Sequence, residues 1–204
     1  MKKMLIAVGL VFFGFAASAQ VSKGTVTVGG NVGFGTSKTK DADDKSTTFS
    51  IQPQVGYFLS DKLEGYIKLG YVNDSNQEMQ GTVLGKKNTD QFGGGVGLRR
   101  YFMVSDNVAI FAGPELSYYS GSTKFEPKGG SSEKLYNTNT FNANINAGVG
   151  VFFTKNIGLV AGLGVLSFES ETHKPNGGGD KSTNTSFNLL ANNAPFALGI
   201  VFHF

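Results

Sequence analysis

Apolar and small polar residues alternate with period two through most of this chain, and that alternation constrains its fold more than any other feature. Thr25 to Thr36 reads T-V-T-V-G-G-N-V-G-F-G-T, placing Val26, Val28, Val32 and Phe34 on one parity and Thr25, Thr27, Asn31, Gly33 and Gly35 on the other. This is the pleat of a strand with one apolar face. The pattern returns with Phe49, Ile51, Val55 and Tyr57, with Ile67, Leu69 and Tyr71, and with Phe92, Val96 and Leu98. It continues through Val108, Ile110, Ala112 and Leu116, through the odd positions from Phe141 to Val151, and through Ile157 to Phe168. Phe196, Leu198, Ile200, Phe202 and Phe204 form the last of eight such segments.

The parity opposite the apolar one is mostly Gly, Asn, Ser, Thr and Gln. Such residues make a poor soluble core but suit a wet or hydrogen-bonded barrel interior, so the apolar parity must face something oily outside. In lipid every backbone amide needs an internal partner, and among sheets only a closed barrel supplies one. A soluble lipocalin-like barrel would invert the pattern.

Connections strengthen this reading. Ser60-Asp61-Lys62, Ser105-Asp106-Asn107 and Thr154-Lys155-Asn156 read as tight turns, whereas Ser37–Ser46, Asn73–Asn88, Ser120–Asn139 and Glu169–Thr185 read as long polar loops. Outer-membrane barrels alternate short periplasmic turns with long external loops, and a β-sandwich has no reason to. The fold class expected is therefore all-β, an eight-stranded antiparallel transmembrane up-and-down barrel.

Lys2 and Lys3, the apolar run Met4 to Phe15 and Ala17-Ser18-Ala19 form a secretory signal peptide, too short for a spanning helix. The expected domains are a signal peptide over 1–19 and one barrel over 20–204. Loss of the two lysines removes two charges from a formal net charge of +3. The remaining basic residues are scattered through loops, which gives no clustered face for nucleic acid. The absence of cysteine excludes disulfides, thiolate metal sites and a lipid-modified N-terminal cysteine.

Residues for chemistry are sparse. His173 and His203 are the only histidines, one in a predicted outer loop and one beside the C-terminus, so they do not share a ligand sphere. Asp41, Asp43 and Asp44 lack the bidentate Glu of a calcium loop, and Gly93-Gly94-Gly95-Val96-Gly97 precedes no helix that would hold phosphate. Neither a metal nor a cofactor is expected, nor an enzyme. Four charges do fall on the inward parity: Glu64, Lys68, Arg99 and Glu115. Depth counted from the turns puts Glu64 and Arg99 near the short-turn end on neighbouring strands, with Lys68 and Glu115 further in. Charges in a low-dielectric barrel must pair, so a lumen network is expected. Arg100, of outward parity, should snorkel to headgroups.

Pro53, Pro114 and Pro195 lie inside predicted strands, and each should mark a bulge or a missing ladder bond. Parity slips across Asn192-Asn193, which also suggests a bulge. Tyr57, Phe58, Tyr71, Tyr101, Phe102, Tyr118, Tyr119, Phe152, Phe153, Phe202 and Phe204 cluster near strand ends, as interfacial girdles do.

The signal peptide, the S-D-K-L turn and the alternating segment ending in Phe204 resemble the small outer-membrane β-barrel family, porin-like and of the OmpX/OmpA type, with a glycine density similar to members from Bacteroidetes-type bacteria. The resemblance implies a monomer in the outer membrane of a Gram-negative bacterium, in contact with outer-membrane lipid. It also implies that the barrel-assembly machinery reads Leu198, Ile200, Phe202 and Phe204. A non-enzymatic role in envelope structure or surface interaction is expected, with an extracellular ligand left unspecified. The alternative is a narrow passive pore, which an eight-stranded interior filled by side chains disfavours.

Overall fold

The computed structural model describes residues 21–38, 45–80, 83–189 and 197–204. Its strands are β1 (Val26–Lys38), β2 (Lys45–Ser60), β3 (Leu63–Gln80), β4 (Val83–Ser105), β5 (Val108–Pro127), β6 (Glu133–Phe152), β7 (Ile157–Pro175), β8 (Ser182–Leu189) and β9 (Ala197–His203). Every neighbouring pair from β1 to β7 is antiparallel. β8 pairs with the far part of β7 and β9 with its near part, so together they occupy the eighth position, and β9 closes the ring on β1. The result is the expected eight-position up-and-down barrel. The signal peptide, Pro195 and Asn192-Asn193 lie outside the described residues.

The parity argument assigns the faces correctly. Val28, Ile51, Ile67, Val96, Leu116, Val149, Leu159 and Ile200 all stand exposed on the outer wall. At one level each of the eight positions contributes one exterior aromatic, and these meet as directly opposed cross-strand pairs: Phe34 with Phe49, Tyr71 with Phe92, Tyr118 with Phe141, and Phe168 with Phe187. Beyond that ring the outward positions turn polar, as in Asn73, Ser75 and Gln77 of β3 and Ser122, Lys124 and Glu126 of β5. Tyr57, Phe102 and Phe204 mark the opposite edge of the band. On β1 the band runs from Val26 to Phe34, close to the ~9–11 residues that a tilted strand needs to cross a bilayer.

Several expectations need correction. The segments 73–88, 120–139 and 169–185 are largely strand rather than loop: β3 reaches Gln80, β5 Pro127 and β7 Pro175. Their outward positions are polar and their buried inward positions are largely Thr, as Thr123 and Thr138, so they lack the apolar stripe that betrays a strand. Pro53 and Pro114 do mark missing ladder bonds, one of the two expected outcomes, and neither shifts the register. β2–β3 pairing stops between Ile51 and Gln54, and β4–β5 pairing between Gly97 and Arg100. A missing N–H removes a ladder bond at each site. A bulge occurs instead in β7, where Ile145 faces Leu166 and Asn146 faces Gly164, leaving Val165 as the extra residue. It moves the outward parity from Leu159 and Leu163 to Phe168.

Phe58, Tyr101, Tyr119 and Phe152 are not girdle residues, because all four are buried inside the barrel. Each sits next to an outward neighbour, Tyr57, Phe102, Tyr118 and Val151 respectively, so the period-two rule sends it inward.

Candidate functional site

The lumen divides into a sealed half at the short-turn end and an open polar half beyond it. At the sealed end Tyr101, 1% exposed, packs its ring 5.6 Å from Phe58, 5.7 Å from Phe111 and 6.4 Å from Phe152. His203 closes the circle, 5.4 Å from Phe152 and 6.2 Å from Phe58. Val21 joins this cluster from below. Its segment is held by bonds from Lys62 N to Val21 O (2.7 Å), from Gly24 N to Phe58 O (3.0 Å) and from Lys23 N to Asp61 Oδ1 (2.9 Å). Burying one such aromatic side chain contributes about 1.5–3 kcal/mol.

Above the aromatic layer lie the four charges read from the sequence. Glu64 is completely buried, and its carboxylate accepts from Thr27 Oγ1 at 2.5 Å, Tyr101 Oη at 2.9 Å and Arg99 Nη1 at 3.4 Å. The Arg99 guanidinium is sandwiched between the faces of Tyr66 and Phe111, at 4.7 and 4.6 Å from the ring centroids. Lys68 Nζ meets Glu115 Oε1 at 2.5 Å, and Tyr66 Oη donates to Glu115 Oε2 at 2.8 Å. The structure thus brings the four together as two ion pairs, with Tyr66 touching both. Tyr66, Tyr101, Thr27 and Phe111 were not singled out for this cluster, although all four share the inward parity of the charges beside them. Arg100 points outward, its guanidinium 5.9 Å from the Phe102 ring centroid.

The barrel is tight enough here that glycine is required. A Cβ on Gly56 would fall on Glu64 Oε1 and Thr27 Oγ1. Gly56→Ala is therefore expected to destabilise by about 1–3 kcal/mol. On the outer wall Gly65→Ala, whose Cβ would meet only the side-chain ends of Leu59 at 3.3 Å and Leu98 at 3.6 Å, should change stability by less than about 0.5 kcal/mol. Urea unfolding in lipid vesicles, followed by heat-modifiable gel mobility, compares the two. Equal losses would remove the steric argument.

The open half is a cavity of about 830 Å³. Its floor includes Arg99, Phe111, Lys68 and Glu115, and its walls carry Asn31, Gln52, Gln91, Tyr119, Thr140, Asn142, Asn144 and Asn146. Further out, a hydroxyl ladder crosses four strands, from Thr89 to Thr123 (2.8 Å), Thr138 (3.1 Å) and His173 Nδ1 (3.4 Å). His173 Nε2 lies 3.4 Å from Glu171, which completes a Thr-His-Glu row. Thr138 is completely buried and already shared with Thr123, so it offers no nucleophile to a substrate. His173 lies in β7, not in a loop, and His203 sits in the sealed layer far from it. The outward row Leu198, Ile200, Phe202 and Phe204 is exposed, with Phe204 exchanging backbone bonds with Val26.

Comparison with known proteins agrees with this architecture. Among solved structures, the outer membrane protein OprG from Pseudomonas aeruginosa superposes with a TM-score of 0.52 at 14% identity, covering 92% of this chain and 99% of that one. Neisserial surface protein A gives 0.49 at 16% identity, covering 88% and 96%. Ail, the attachment invasion locus protein of Yersinia pestis, gives 0.48 at 15% identity in complex with the heparin analogue sucrose octasulfate, covering 89% and 99%. At these identities the likeness extends to the fold alone. No curated protein sequence matches. The family profile of the outer membrane protein beta-barrel domain matches residues 5–202, nearly the whole chain, and the protein belongs to that family of the Gram-negative outer membrane.

Proposed function

We propose that this protein is a sealed, non-enzymatic outer-membrane barrel that presents its projecting strands and connections to the outside, and not a through-channel. The observation that carries this reading is the stopped lumen: an aromatic layer and two ion pairs fill the periplasmic half. Conduction would require water to pass Tyr101 and Glu64, which have almost no exposed surface. The polar walls beyond the aromatic girdle carry charges of both signs, including Lys86, Lys124, Glu126, Lys134 and Lys174. They form a surface suited to contact with external molecules or neighbouring envelope components. On the same reading, the lumen cluster of Glu64, Lys68, Arg99 and Glu115 is a structural plug, and Leu198, Ile200, Phe202 and Phe204 are the assembly signal of a monomeric barrel.

In planar bilayers the folded wild-type protein is expected to give little or no steady conductance. A large, steady and ion-selective conductance would overturn the sealed reading in favour of the pore.

A further inference from the structure

The open half of the lumen has a property that a mere plug does not need. Most of its polar side chains are mutually satisfied: Gln91 donates to Thr140 at 2.7 Å, Gln52 to Tyr119 Oη at 3.2 Å, and Lys68 to Glu115. Four amides are not. Among the described residues, the side chains of Asn31, Asn142, Asn144 and Asn146 make no hydrogen bond to protein, yet all four line the 830 Å³ cavity.

The strand register explains why two of them stand free. Asn142, Asn144 and Asn146 are successive inward positions of β6. Asn146 is flanked across the ladder by Gly113 on β5 and Gly164 on β7, neither of which has a side chain to reach it. Asn144 is flanked by Ser167 and by Glu115, whose carboxylate is held by Lys68 and Tyr66.

Each free amide offers two N–H donors and one carbonyl acceptor. A row of them at two-residue spacing presents donors and acceptors in close alternation, without net charge. The cations of the floor are cancelled by Glu64 and Glu115, and the charges nearer the opening are the acids Asp74 and Glu169, which oppose anions. Alternating donors and acceptors on walls without net positive charge match a molecule that carries many hydroxyl groups. The volume lies within the ~300–1,000 Å³ of small-ligand pockets.

We propose that this cavity binds a neutral polyhydroxylated molecule of mono- to disaccharide size, with Asn142, Asn144 and Asn146 as its hydrogen-bonding rail. This goes beyond the sealed-barrel reading and is independent of it, since binding at a blind cup and passage through a pore are measured separately.

The test uses ¹⁵N-labelled folded protein in nanodiscs, free of sugar-based detergent, titrated with maltose and separately with glucose 6-phosphate. Maltose is expected to shift the side-chain NH₂ signals of the three asparagines saturably, with a Kd on the order of 1 mM, and the phosphate to bind about tenfold more weakly or not at all. Asn144→Leu with Asn146→Leu should weaken maltose binding by about tenfold or more while heat-modifiable mobility is retained. If the leucine pair does not fold, Asn144→Asp, which keeps the shape but removes the donors and adds charge, should give the same loss. Absence of a saturable shift up to roughly 100 mM maltose, an unchanged affinity in a folded variant, or phosphate binding as tight as maltose would each overturn the proposal.

Discussion

Arg99→Ala is expected to destabilise the folded barrel by about 3–5 kcal/mol, because it leaves the Glu64 carboxylate buried beside no cation. Glu64 has no exposed surface, so water does not replace the lost partner. Thr27 and Tyr101 would still donate to it, but two neutral hydroxyls do not balance a charge in a low-dielectric interior. The same substitution removes the guanidinium from between Tyr66 and Phe111, which opens a gap in the plug. Arg99→Met combined with Glu64→Gln should recover much of the loss, since removing both charges avoids the unpaired state. Lys68→Ala should cost less, because the Lys68–Glu115 pair borders the open polar cavity and Tyr66 remains on Glu115. Equilibrium urea unfolding in vesicles measures all of these. A loss below about 1 kcal/mol for Arg99→Ala would mean that the pair is solvated like a surface bridge.

The inward charges were legible because parity needs only one apolar reference per strand. Glu64 and Lys68 alternate with Ile67 and Leu69, and Arg99 sits beside Leu98, so their direction followed from the lipid-facing neighbours. Their pairing followed from the cost of isolated charge. The aromatic seal was not read from the sequence. Phenylalanine and tyrosine are equally at home against lipid and in a packed interior, so proximity to strand ends suggested a girdle for Phe58, Tyr101, Tyr119 and Phe152. Applied strictly, parity would have placed them inside. Of the upper girdle only Tyr71 and Tyr118 were read from the sequence, and the rest was missed for a related reason. Phe92 and Phe141 lie in mid-strand, because β3 to β7 continue well past the girdle as polar strands. Those continuations, and the Val165 bulge, leave no hydrophobic signature; the Gly-Leu-Gly-Val-Leu run around the bulge gives no sign of which residue is the extra one.

Tyr101 decides whether the barrel is stopped by packing or by charge. Its ring touches Phe58, Phe111 and Phe152, and its hydroxyl donates to Glu64 and accepts from Arg99 at 3.3 Å, so it belongs to both layers of the seal. Tyr101→Ala is expected to cost about 3–5 kcal/mol, the range for deleting a fully buried aromatic ring. In planar bilayers it should also convert a quiet barrel into one with measurable steady conductance, since the space left undercuts Arg99 and Phe111, which floor the polar cavity. Tyr101→Phe keeps the ring and loses only the hydroxyl. It should cost about 1–3 kcal/mol through the buried partners left short of a bond, and remain non-conducting. Tyr119→Ala, which enlarges the upper cavity without touching the seal, should also stay quiet. If folded Tyr101→Ala is as silent as the wild type, closure does not reside in the aromatic layer. The ion pairs above it would then be the stopper, and Arg99→Ala, not Tyr101→Ala, would be the variant that conducts.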